Sequence, residues 1–206
     1  MSEFGLLDWI LTIAALVVSW QLHAAVLHQP PAATPTQPPA GEASGGATLP
    51  PARPGLLAEK LEAVCRACAY PSLKPFLDGA GLAYEQIVAA FAEGELQPVL
   101  PLLGPAVRQT FAQAVAERKA RRETLSTMVI GIAAEPVDAG LDGGMAWIEV
   151  RFVAEMVSAT TDREGRVLGG DPRRIVEVAE VWTFTRDVRS SDPNWTLVAT
   201  AEDACA

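Results

Sequence analysis

Histidine is almost missing from this chain. The two that occur are His23 and His28, and no imidazole follows them. The side chain best suited to proton transfer near neutral pH is therefore absent from everything downstream. His23 and His28 are five apart, which does not share a helical face, so they do not form a metal site. Tyrosine is nearly as scarce, with only Tyr70 and Tyr84. Three cysteines are too few for a secreted disulfide framework. Cys65 and Cys68 make one C-x-x-C, but a redox motif belongs beside a βαβ unit and a zinc site needs further ligands. The pair reads as the buried face of a helix. There is no G-x-S-x-G, no phosphate-binding glycine loop and no His/Cys cluster. These absences leave no expected metal or cofactor and argue against catalysis.

Charge is short on the positive side: 16 Lys and Arg stand against 25 Asp and Glu, a formal net charge of -9. Nucleic acid is a poor partner for such a surface, since phosphate contacts want a basic face. Simple electrostatic docking on anionic lipid is disfavoured for the same reason.

No Lys or Arg occurs before Arg53, so the apolar run at 6–27 lacks the basic start of a cleaved signal peptide. As a helix it would span about 33 Å, enough for a hydrocarbon core of about 30 Å. Trp9 and Trp20 suit its interfaces. The expectation for 1–28 is an uncleaved single-pass membrane anchor. The acidic amino-terminal flank and the later Arg53 and Lys60 put the C-terminal domain on the cytoplasmic side. Residues 29–55 hold eight prolines and no aromatic residue. They read as a disordered tether that reaches roughly 80 Å when extended.

Beyond the tether the periods change in order. Leu57, Leu61, Val64 and Cys68 recur on one helical face in a connecting segment at 56–72. Phe76, Leu77, Ala80, Tyr84, Ile87, Val88 and Phe91 mark a second helix, with a stop at Glu93-Gly94. A short turn broken by Pro98 and Pro101 precedes a third helix, from Pro105 to about Arg122. Its face carries Val107, Phe111, Ala114, Val115 and Arg118. Its last turn, with Arg118, Lys119, Arg121 and Arg122, suits the negative end of the helix dipole or forms a small basic patch.

From Thr124 the period is two. A strand over 125–137 is followed by a longer one over 145–159, with Ile148, Val150, Phe152, Ala154 and Met156 on one face and Trp147, Glu149, Arg151, Val153 and Glu155 on the other. Glu149, Glu155 and Glu180 are expected on a wet face, paired with Arg151 or Arg174. Helices first and antiparallel strands afterwards make an α+β domain at 73–206.

The most informative stretch is 181–200, VWTFTRDVRSSDPNWTLVAT. It reads as two strands joined by Asp192-Pro193-Asn194 turn chemistry, with Trp182 and Trp195 on either side. It resembles the C-terminal signature of the Tim forty-four-like domain family, carried by Trp182, Phe184, Arg186, Asp192, Pro193 and Trp195. FLDGAGLAYEQIVAAFAEGELQPVLPLL, AVAERKAR and VRFVAEMVSATTDREGRVLGGDP resemble the family's earlier parts in the same order.

The resemblance implies helices packed on a bent antiparallel sheet, the cone of the nuclear transport factor two-like superfamily. It also implies a non-enzymatic adaptor in protein transport or membrane-complex assembly, with a membrane complex, a client polypeptide or lipid as partner. Tyr84, Phe91, Trp147, Phe152, Trp182 and Phe184 are the expected lining of a pocket. Two alternatives stay open: a domain binding lipid or a small apolar ligand, and an isomerase or dehydratase of the cone-shaped superfamily. A buried carboxylate with a tyrosine or aspartate partner would mark the enzyme.

Overall fold

The computed structural model describes residues 54–203; the expected anchor at 1–28, and the tether up to residue 53, lie outside them. Three α-helices come first: α1 (Pro54–Ala67), α2 (Lys74–Glu93) and α3 (Pro105–Ala120), with a 3-10 turn at Gln97–Leu102. Five strands follow: β1 (Thr124–Asp142), β2 (Met145–Thr161), β3 (Val167–Gly170), β4 (Val176–Asp187) and β5 (Thr196–Glu202). The fold is α+β, with helices against a bent antiparallel sheet of order β1-β2-β4-β5; β3 pairs with β2 beyond the start of β4.

Helix α1 buries Val64 and Cys68 in the core, so it docks on the domain. It stops before Pro71. Tyr70 N–H bonds the Cys65 carbonyl and Ala69 N–H bonds that of Arg66, a Schellman closure that needs a left-handed residue. Ala69 takes that conformation, at φ 56°.

Helix α2 buries Phe76, Ala80, Tyr84, Ile87 and Ala90, a stripe with the three-to-four spacing of a helix face. Gly94, at φ 75°, ends it in the left-handed region where glycine is cheapest.

Along β2 burial alternates, and Ile148, Val150, Phe152, Ala154 and Met156 all face inward. β1 runs to Asp142, past the expected end at Val137. Two register shifts, at Val129/Gly131 and Pro136/Asp138, break its alternation. Pro136 is tolerated because β1 is an edge strand and the shift lies beside it. No helix among the described residues is long and apolar enough to cross a membrane.

Candidate functional site

Four of the expected pocket residues come together. Tyr84 rises from α2 between Phe152 of β2 and Trp182 of β4, with ring centroids 4.8 and 4.6 Å away. Phe184 closes the group 6.4 Å from Phe152 and 6.3 Å from Trp182. All four are buried, and their rings fill the space between helix and sheet with one another. Phe91 lies elsewhere, edge-on to Phe111 of α3 at 5.1 Å and beneath the Arg118 guanidinium. Trp147 is on the opposite face of β2, half-buried, where its ring occupies the space a Cβ at Gly140 of the edge strand would need.

The arrangement that sequence reasoning missed is Glu180. It was expected on a wet face, paired with an arginine. Instead it shares the inner face of β4 with Trp182 and Phe184, opposite Phe152 of β2 and Glu202 of β5. Tyr84 donates a 3.0 Å hydrogen bond from its hydroxyl to Glu180 Oε2. Burial pushes the Glu180 carboxyl up, the Tyr84 and Trp182 donors pull it back, and Glu202 raises it further. Burial also pushes the Tyr84 hydroxyl up, and the carboxylate beside it adds to that. The Trp182 indole N–H is near enough to favour the Glu180 charge, yet no acceptor stands in hydrogen-bonding geometry to it. The signal was present in the sequence: Glu180 is two residues from Trp182, and alternate residues of a strand share a face.

The other two glutamates also lack the expected partners. Glu155 is exposed. Glu149 stands beside Asp138, and Lys60 of α1 bonds Asp138 at 2.6 Å and reaches over the Trp147 ring. Burial and Asp138 push Glu149 up, and Lys60 opposes them. Arg151 instead pairs with Asp203, after the end of β5.

Two of the signature residues, Trp195 and Arg186, tie the last strands to Tyr70 and Phe76 near the start of the described domain. Trp195 packs edge-on against Phe76 at 4.7 Å and donates its indole N–H to the Tyr70 hydroxyl at 3.1 Å. The Arg186 guanidinium lies over the Tyr70 ring, 5.6 Å from its centre. It also stands beside Cys68, whose thiol burial pushes up and Arg186 pulls down. Arg186 Nε and one terminal nitrogen are buried without an acceptor. Asp192 and Pro193 are exposed in the turn, where Asp192 Oδ1 accepts the Asn194 N–H at 2.9 Å.

The basic turn of α3 divides between the interior and the surface. Arg118 is buried, and its guanidinium donates to the carbonyls of Phe91 and Ala92. Lys119 donates to the Gly94 carbonyl at 2.9 Å. Both cations therefore sit on the negative end of α2, where carbonyls lack helical partners. Arg121 pairs with Glu123, and Arg122 is exposed. No group of three or more potential metal ligands occurs among the described residues.

The family model described as the Tim44-like domain matches residues 58–202. The chain belongs to the Tim44-like domain family. The match takes in most of α1 and all later elements, so the Tim44-like unit includes the helix that precedes the aromatic cluster. No curated protein matches the chain. Among solved structures it is similar to the intermembrane space region of the chloroplast protein ARC6, with 13% identity and a TM-score of 0.43, over 61% of this chain and 94% of that one.

Proposed function

We propose that this Tim44-like protein is a membrane-anchored, non-enzymatic adaptor in protein transport or membrane-complex assembly. The observation that carries the reading is the family match over nearly the whole described region. The apolar run at 6–27 supports a single-pass anchor in a bacterial inner membrane, with lipid contact through that helix and the Tim44-like domain in the cytoplasm. The proline-rich tether at 29–55 supports a domain free to search for a partner, a membrane complex or a client polypeptide. In this reading 56–72 joins the tether to the main body at 73–206, and the bent sheet is the wall of a cone.

Tyr84 with Glu180 favours a second reading, ligand binding or catalysis within the cone, since a buried carboxyl with a tyrosine donor is the pairing an enzyme site there would use. Three things weigh against it. The two groups satisfy each other, the rings around them are packed together, and no histidine lies among the described residues. Lipid or small-ligand binding through Tyr84, Phe152, Trp182 and Phe184 would need α2 to lift from the sheet.

Crosslinking of the full chain in native membranes tests the adaptor, with residues 1–53 alone as control. Recovery of one membrane complex by the full chain and not by the control supports it. Recovery of lipid alone at every crosslinker length rejects it.

A further inference from the structure

The outer face of the sheet, away from the helices, carries an apolar row that no described residue covers, near the end where β1 and β4 begin. Met128 of β1 pairs with Val157 of β2, and Ile175 extends the line of β4 to the place beside Val157. Met128 is 67% exposed and Ile175 56%. Their inward neighbours Val129, Met156 and Val176 belong to the core or pack against it, so the row points the other way. Such a row on a preformed strand surface is a contact surface in search of a partner.

Charges of opposite sign flank it. On one side runs the row Gly131–Glu155–Glu177. On the other, Arg173 and Arg174 stand exposed in the loop just before Ile175. None of these four side chains makes an ion pair among the described residues. One step further out, Ala133–Val153–Ala179 lies beyond the glutamates, and Val167, paired with Thr161, lies on the arginine side. The surface alternates apolar, acidic, apolar, basic and apolar along the strands.

That order is self-complementary. A two-fold axis along Met128–Val157–Ile175 sets the row on its own copy. It brings Glu155 and Glu177 to the side of the partner's Arg173 and Arg174, and Ala179 to that of the partner's Val167. An isologous dimer needs this property of one patch. An anionic bilayer would take the arginines but press two carboxylates against its phosphates. The apolar run at 6–27 has no Lys or Arg to meet the glutamates. We infer that a second copy of this chain covers the row, in a two-fold dimer built face to face on the outer surface of the sheet.

Sedimentation of the full chain in detergent, with and without substitutions, tests this. The wild-type chain is expected to dimerise. Met128→Asp and Glu177→Arg, both at exposed positions, are expected to weaken the dimer by about tenfold or more while leaving circular dichroism unchanged. Adding Arg173→Glu and Arg174→Glu to Glu177→Arg is expected to restore it, because the swapped charges meet again. Overturning results are a monomeric wild-type chain, a dimer indifferent to Met128→Asp and Ile175→Asp, or a charge swap that fails to rescue. A monomer that covers the row with bound lipid would overturn it as well.

Discussion

Tyr84 and Glu180 are 96 residues apart in sequence and 3.0 Å apart at Oη and Oε2, and this bond joins the middle of α2 to the inner face of β4. Removing the hydroxyl leaves a buried carboxyl with its main donor gone. Tyr84→Phe is expected to cost about 1.5–3 kcal/mol in urea denaturation. Combined with Glu180→Gln, its cost should be smaller than in the wild-type background, since the two groups share one interaction.

Glu180 also sets a direction for pH. Its carboxyl is raised in the folded state, by burial first, so the folded chain holds this proton more tightly than the unfolded one. The resulting stability is full below the ordinary glutamate range of about 4.3 and is lost as pH rises through the raised folded value. Glu180→Gln cannot ionise and should lose that slope. Thermal melts from acid to mildly alkaline pH should show the variant gaining on wild type as pH rises. Parallel curves would show that Glu180 does not titrate in this way.

Arg118 bonds the last carbonyls of α2 from within the fold. Arg118→Met keeps much of the apolar stem and removes the donors, leaving the Phe91 and Ala92 carbonyls without them. A loss of about 1–3 kcal/mol is expected. Arg122→Ala, on the exposed neighbour, should stay within about 0.5 kcal/mol. Equal losses at both positions in chemical denaturation would contradict the buried contact.

Ala69 occupies a left-handed position that costs a side chain roughly 1–2 kcal/mol. Ala69→Gly relieves that strain but loosens the unfolded chain, so a net gain of about 0.5–1 kcal/mol is expected in the melting curve.

Gly140 is the reverse case. A Cβ there would stand 2.7 Å from the Trp147 ring. Gly140→Ala should displace the indole at a cost of about 1–3 kcal/mol and change the tryptophan emission, since Trp147 is half-buried.

The sequence made the helices and β2 legible because their periods are clean. Three-to-four spacing placed Phe76, Ala80, Tyr84 and Ile87 on one face, and alternation placed Ile148 to Met156 on another. β1 was cut short because its bulges shift the alternation and Pro136 looks like a stop. Glu180 and the partners of Arg118 are illegible in the sequence for a shared reason. The positions of Glu180 and Arg118 put them on inner faces, but a charged side chain reads as a surface residue unless its partner is known. Those partners are Tyr84, far along the chain, and a pair of helix-end carbonyls that carry no sequence signature. Phe91 and Trp147 are aromatic like the clustered four, but aromatic character alone does not say which side of an element a ring occupies.

The tie between the first helix and the last strands has a consequence for how the chain is made. Leu197 lends its carbonyl to Gly104, and Trp195 holds Tyr70. Both residues are made after the three helices and strands β1 to β4. Until then the part of the core around Tyr70 and Phe76, made more than a hundred residues earlier, lacks its last cover. A polypeptide released before Trp195 would leave Phe76 without that ring and the Tyr70 hydroxyl without its indole donor, so one end of the core would stay bare.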